Sequence, residues 1–448
     1  MHGESPETSS LDRMRSALRA FRSRNYRLFF TGQGISLIGT WMQSVATGWL
    51  VFRLTRSSFD LGLVAFAGQL PAFFLSPFAG ALSDRWNRRR IILGVQMMAM
   101  LQALVLTLIT LTGHVTVPHV IGLSFFLGLI NAFDIPTRQA FVVELIENRD
   151  DLGNAIALNS ALFNATRLIG PAVAGVLIGI WGEGVCFAVN TVSYMAAITA
   201  FLLIRTAVPR REKAPGGLWE EIRAGVLYAY RFSPIRDILL LIALISFIGM
   251  SFPVLLPVFA RDVLGGGSHD YGFLIASSGV GAVLGTLYLA QRESVLGLGR
   301  VILVSMILFG LSLVAFSFSR HLAISMFFMV LIGFGMIVNI AASNTILQTV
   351  VEEEMRGRVM SLYTMAFMGT APLGSLLAGS LSARAGAPLT VTLGGGIILL
   401  GSLLFLRRLP HLRSRIRPVY RQKGILPEMA AGLQTAEALR EPPEYSGN

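Results

Sequence analysis

The sequence predicts an all-α integral membrane protein of twelve transmembrane helices in two six-helix bundles. Three observations carry that expectation. Of 448 residues, 53% are hydrophobic and 14% charged, and the mean hydropathy of +0.64 lies outside the soluble range. A bilayer is crossed by ~20 mostly apolar residues rising 1.5 Å each, and the chain offers twelve runs of about that length. A polar segment at 205–236 divides those runs six and six.

The runs fall near 28–51, 59–82, 91–112, 118–143, 154–180, 184–204, 237–259, 271–290, 301–318, 322–349, 359–383 and 388–406. Five segments follow: a cytoplasmic amphipathic segment at 1–27, a first bundle at 28–204, a cytoplasmic linker at 205–236, a second bundle at 237–406 and a partly disordered cytoplasmic tail at 407–448. The N-terminal segment sets Arg13, Arg15, Arg19, Arg22 and Arg24 among Ser, Leu and Phe, as a surface helix does and a cleaved leader does not.

Charge orients the spans. Of 37 Lys and Arg residues, Arg53, Arg56, Arg261, Arg320 and Arg384 fall in one set of loops, Arg138 and Arg167 fall inside spans, and the remaining thirty share the other set with both termini. Basic loops stay in the cytoplasm, so both termini are expected there. The net charge of +12 is therefore topological, and no nucleic-acid partner is expected.

The turn from Gly80 to Arg90 has the sharpest charge pattern. Asp84, Arg85, Arg88, Arg89 and Arg90 interrupt two apolar runs, and five charges cannot remain in hydrocarbon. In the linker, Leu218, Trp219, Ile222 and Val226 lie on one side and Glu220, Glu221 and Arg223 on the other, the pattern of a helix resting on the membrane surface or of a docking surface. The basic tail from Arg407 to Lys423 leads into Pro427, Pro442 and Pro443, a lipid-facing stretch followed by disorder.

The halves echo each other. Asn131 matches Asn339, Val142-Val143-Glu144 matches Val350-Val351-Glu352, and Gly170-Pro171 matches Ala371-Pro372. Repeats of this kind are expected where two similar bundles move about a site near the midplane.

Candidate chemistry centres on span 4. Asp134 is the one acidic residue well inside a span, Arg138 follows one turn later, Pro136 frees a backbone carbonyl between them, and Asn131 extends the polar stripe. By helical rise, Asp134 lies about 15 Å and Arg167 about 20 Å from the cytoplasmic ends of their spans. Asp134 is thus expected to pair with Arg138 or Arg167. Two readings stand: an ion pair that locks spans 4 and 5, or a proton site whose carboxylate alternates between an arginine and substrate or water. Arg167 is also suited to holding a carboxylate or catecholate. Gln33, Thr40 and Thr47 recur on one face of span 1, with Ser36, Gln43 and Ser44 nearby. Asn159, Asn164, Asn190, Asn339 and Asn344 complete the polar inventory, either as substrate contacts or as hydrogen bonds between helices. Pro253 and Pro257 predict a gate-like bend in span 7.

Other classes lack their residues. Cys186 is the single cysteine and the six histidines form no cluster, so no disulfide, metal or cofactor is expected. Neither Lys213 nor Lys423 precedes Ser or Thr, as a phosphate loop requires. No nucleophile-base constellation marks an enzyme, and the short outer loops offer no channel filter or receptor domain.

The run Gly80-Ala81-Leu82-Ser83-Asp84-Arg85-Trp86-Asn87-Arg88-Arg89-Arg90 resembles the signature loop of the major facilitator superfamily. Asn87 replaces its usual glycine, as the next-best residue for a left-handed turn. Gly170-Pro171-Ala172-Val173-Ala174-Gly175 resembles the Gly-Pro motif of the superfamily's antiporters, with Ala174 in place of one glycine. From Asn131 through Asp134, Pro136, Arg138 and Gln139 to Asn159, Asn164, Arg167, Gly170 and Pro171, the pattern is similar to the branch holding the enterobactin exporter and relatives of macrolide efflux proteins, a likeness covering residues 20–408. The resemblance implies the major facilitator fold and a monomer in the cell (inner) membrane. It also implies proton-coupled antiport of a small amphipathic molecule, such as a siderophore or drug, by alternating access. The alternative on the same fold is an importer or flippase of a small solute or lysolipid. Gly80, Asp84, Arg85, Arg88, Arg89, Gly170 and Pro171 would then serve the conformational switch, with Asp84 near the start of span 11 and the arginines meeting acidic residues and lipid phosphates.

Overall fold

A computed structural model describes residues 19–146, 148, 151–205, 218–292 and 294–425. These residues are almost entirely helical. Six helices make the first half: α1 (Arg24–Thr55), α2 (Ser58–Arg85), α3 (Arg88–Leu111), α4 (Val117–Glu144), α5 (Leu152–Trp181) and α6 (Glu183–Leu203). The linker helix α7 (Leu218–Arg231) precedes α8 (Ser233–Val263), α9 (Ser268–Ala290), α10 (Leu298–Phe318), α11 (Leu322–Val350), α12 (Glu353–Ala385) and α13 (Ala387–Gln422). The predicted amphipathic segment at 1–27 and the predicted tail disorder fall largely outside the described residues.

Eleven of these helices are long and apolar enough to cross a membrane. The twelfth span is α12, which is diluted by small and charged residues such as Glu353, Glu354, Arg356 and Arg358. Phe73 meets Gly369, and Gly62 meets Gly379, so α12 runs antiparallel to α2 and crosses where α2 crosses.

Local chemistry sets the helix ends. Ser23 caps α1 by accepting from Tyr26 N at 3.3 Å. Asn87 caps α3 by accepting from Arg90 N at 3.1 Å, with an extended backbone at φ −67°. This corrects the left-handed turn expected there: Asn87 replaces glycine as a capping side chain. Single glycines at φ +82° and +84°, Gly182 and Gly386, join α5 to α6 and α12 to α13. A side chain at either position would be strained.

α8 is broken. It is α-helical over Ser233–Gly249, tightens to a 3₁₀ turn at Phe252–Leu255 and widens to a π turn at Phe259–Val263. Pro253 and Pro257 lie within the break, where each removes a backbone donor. α13 continues beyond the span end expected at 406 as far as Gln422. Its Leu409, Leu412, Ile416 and Tyr420 are buried along one face, and Lys423 Nζ donates to Thr349 O at 2.8 Å and Val351 O at 3.2 Å beyond its end.

In the first half α1 packs on α5 and α6, α2 on α4, and α3 on α4 and α6. In the second half α9 and α10 pack on α11, and α8 and α10 on α13. Two antiparallel pairs, α2 with α12 and α5 with α9, join the halves. The start of α1, α7 and the end of α13 share one face of the molecule, called here the terminal face.

Candidate functional site

The seam between the halves is built twice from the same parts. Ser58 Oγ donates to Gly379 O at 3.3 Å, and Ser268 Oγ donates to Gly175 O at 3.1 Å. A Cβ on Gly62 would lie 2.6 Å from Ser375 O, and one on Gly272 would lie 2.5 Å from Pro171 O. These residues belong to a repeated Ser-x-Asp-x-Gly pattern, Ser58-Phe59-Asp60-Leu61-Gly62 and Ser268-His269-Asp270-Tyr271-Gly272. The pattern is legible in the sequence and was not among the expected site residues. Trp49 stacks on Tyr271 at 6.1 Å, and Arg56 Nη1 reaches Asp262 Oδ1 at 3.8 Å. All hydrogen bonds and ion pairs between halves, among the described residues, thus lie toward the face opposite the termini. Toward the terminal face, Ser160, Ala161 and Phe163 on α5, Thr345 and Gln348 on α11, and Ser361 and Thr364 on α12 are exposed.

Asp134 is buried on α4. Its Oδ2 meets Arg138 Nη2 at 3.0 Å, and its Oδ1 accepts from Gln96 Nε2 of α3 at 3.2 Å. Its arginine is therefore the one on its own helix, one turn away, and Arg167 is not its partner. Tyr194 of α6 is buried. Asn190 Nδ2 donates to Gln43 Oε1 at 2.7 Å, and Gln43 Nε2 donates to Gln102 Oε1 at 2.9 Å. Two polar groups therefore lie inside the first half, Arg138–Asp134–Gln96 and Asn190–Gln43–Gln102. In lipid-facing helices such groups bond to one another because hydrocarbon offers nothing else. Gln96, Gln102 and Tyr194 were not singled out by the sequence, and the amides in span 3 are the signal that marks two of them.

Arg167 stands apart. Its guanidinium lies 6.0 Å from the Trp41 ring centroid, and Phe163, one turn earlier on α5, meets Trp41 edge-on at 5.7 Å. Gly170 makes this possible, since a Cβ there would lie 2.5 Å from Trp41 Cβ.

Other candidates disperse. Asn164 Nδ2 donates to Ser160 O and Gln348 Nε2 to Asn344 Oδ1, both within one helix. Asn339 Nδ2 donates to Ile302 O at 3.3 Å and ties α11 to α10. Gln33 is buried, while Asn131 and Asn159 are half-buried. Arg88 Nη1 meets Glu144 Oε1 at 2.6 Å. Arg89 donates to Phe201 O and Leu202 O, each at 2.7 Å, at the end of α6. Gly80 lies in α2, Arg90 is exposed, and the side chains of Asp84 and Arg85 lie outside the described residues.

A family model described as transmembrane secretion effector matches residues 15–430. The staphyloferrin A transporter of Staphylococcus aureus is 25% identical over 352 residues, covering 78% of this chain and 88% of that one. The multidrug efflux pump Tap of Mycolicibacterium fortuitum is 27% identical over 404 residues, covering 86% and 95%. Macrolide efflux protein A of Streptococcus pyogenes is 24% identical, covering 84% and 94%. Among solved structures, the POT family transporter PepTSo superposes with a TM-score of 0.71 at 13% identity, covering 88% and 99%. The nucleoside transporter NupG superposes with a TM-score of 0.68 at 10% identity, covering 86% and 98%. Matched over nearly its whole length and carrying the superfamily's fold, this chain belongs to the transmembrane secretion effector family of major facilitator transporters.

Proposed function

We propose that this transporter is a proton-coupled exporter of a small amphipathic molecule, with Asp134 as the proton carrier. The observation that carries the reading is the Asp134 site. A carboxylate buried deep in a span is held by Arg138 at 3.0 Å and Gln96 at 3.2 Å. Protonation cancels its charge and removes the attraction that holds Arg138, so one proton rearranges the contacts of Arg138 and Gln96. The terminal face is the cytoplasmic one, as the distribution of Lys and Arg supports.

The working unit is a monomer of two bundles, 28–204 and 237–406, joined by the linker at 205–236. The halves part at the terminal face, so substrate enters from the cytoplasm between α5, α11 and α12. Export requires the Ser58 and Ser268 seams to open while the terminal face closes. Asp84 and Arg85 then approach α12, whose first turn presents Glu353 and Glu354. Those carboxylates already occupy the helix N-terminus, so the arginine side of the loop gains most from this contact.

The test is flux in proteoliposomes with and without an imposed pH gradient, using a siderophore, a macrolide and a lysolipid. Gradient-driven flux that Asp134→Asn abolishes is expected. Flux indifferent to the gradient would sink proton coupling and favour a flippase or importer. Gradient-driven flux that survives Asp134→Asn would place the proton elsewhere.

A further inference from the structure

Among the described residues, three ionised side chains lie well inside the spans: Asp134, Arg138 and Arg167. Asp134 and Arg138 neutralise each other at 3.0 Å. Arg167 is left over. Its five N–H donors meet no acceptor and no carboxylate among the described residues, and its one partner is the face of Trp41. A guanidinium inside a membrane protein is costly unless something compensates it, and an aromatic face compensates only part of a charge.

The surroundings say what completes it. Arg167 is half-buried, so its fork is reachable. Phe163 stands one helical turn away on α5, 45% exposed and edge-on to the same Trp41 ring. α5 is a seam helix whose exposed Ser160 and Ala161 continue the same stretch toward the terminal face. A fixed positive fork next to an exposed aromatic ring, where the halves part, matches one ligand chemistry. That ligand has a carboxylate or similar planar oxyanion to take two N–H bonds side by side, and an apolar or aromatic body to lie against Phe163.

We infer that Arg167, Trp41 and Phe163 form the head-group subsite for substrate, and that the substrate is an amphipathic anion. The inference rests on the transporter reading above and narrows it. Cationic amphiphiles are excluded by the uncompensated charge. Arg167 takes the oxyanion, Trp41 holds the guanidinium in place, and Phe163 carries the body. The proton site at Asp134 is separate, neutral as a pair, and does not bind the anion.

The test is equilibrium binding to the full chain in phosphatidylcholine nanodiscs without any gradient. The probes are 2-naphthoate, 2-naphthamide and 2-naphthylmethylammonium, which share a body and differ in charge. Naphthoate is expected to bind about tenfold tighter than the amide, with the ammonium weakest. Arg167→Gln removes the preference, Arg167→Lys keeps part of it, and Phe163→Ala weakens all three probes alike. Thermal unfolding of each variant separates loss of the site from loss of the fold, and Arg167→Lys serves if Arg167→Gln does not fold. The inference is overturned if the folded, unsubstituted chain binds naphthoate no better than the amide or not at all, or if the preference survives in Arg167→Gln. Loss of this inference alone would leave gradient-driven flux intact. An Arg167-dependent preference with flux indifferent to the gradient would instead sink proton coupling alone.

Discussion

Ser268 Oγ donates to Gly175 O across the seam between α9 and α5 at 3.1 Å, and Ser58 makes the matching bond to Gly379 O between α2 and α12 at 3.3 Å. The same serine-glycine device thus closes both sides of one face. Gly272→Ala places a Cβ 2.5 Å from Pro171 O, and overpacking of this sort costs about 1–3 kcal/mol. That is enough to move a two-state equilibrium roughly tenfold toward the state with this face open. Maleimide labelling of a cysteine at Ser268, now 5% exposed, should quicken accordingly. The native Cys186 is fully buried and gives little background. An unchanged rate in a folded variant would mean that the seam does not separate during transport.

Arg88 and Glu144 form a second, quite different anchor. Their side chains are 7% and 17% exposed and 2.6 Å apart. Removing one partner of a buried pair leaves the other charge uncompensated and costs about 3–5 kcal/mol. Arg88→Ala should therefore lower the unfolding temperature far more than Arg90→Ala, which touches an exposed side chain. Equal effects would show that Arg88 acts only through its charge at the membrane surface.

The Asp134–Arg138 pair makes a prediction with a built-in control. Arg138→Gln leaves Asp134 buried with Gln96 alone. The double variant Asp134→Asn, Arg138→Gln removes both charges. Thermal unfolding should place the double variant above Arg138→Gln in stability, because a neutral amide pair is cheaper to bury than one uncompensated carboxylate. The reverse order would mean that Arg138 is solvated independently of Asp134.

The extended end of α13 is predicted to hold the second half together. Leu412 and Ile416 are buried on it, and burying such a side chain is worth about 1.5–3 kcal/mol. Leu412→Ala with Ile416→Ala should destabilise the protein markedly in the same unfolding measurement. No effect would identify this stretch as an appendage.

The apolar helices were legible because hydrocarbon imposes one length and one composition, and Asp134 with Arg138 was legible because i and i+4 share a helical face. What lay beyond the sequence was partner choice between helices. Nothing in span 3 alone says that Gln96 reaches Asp134 while Gln102 reaches Gln43. The depth estimate for Arg167 was compatible with Asp134 as its partner, yet Arg138 meets Asp134 without leaving the helix. Asn87 was expected in a turn and caps a helix, because the chain needs an acceptor there and not a positive φ. The continuation of α13 could have been read from Leu409, Leu412, Ile416 and Tyr420, spaced at three and four, but its arginines drew attention to charge. The Ser-x-Asp-x-Gly repeat was equally readable and shows that short polar patterns at helix starts carry as much as charges inside spans.

The one-residue links at Gly182 and Gly386 bear on how distant parts move. α5 contributes Gly175 to the seam, and α6 contributes Asn190 to the amide group with Gln43 and Gln102. With only Gly182 between them, the two helices are yoked. Torque applied where the halves separate is delivered along α6 to Asn190, the amide that donates to Gln43 Oε1, with no flexible stretch to absorb it. Mechanical work at one face is thereby felt as a change of hydrogen-bond alignment at Gln43.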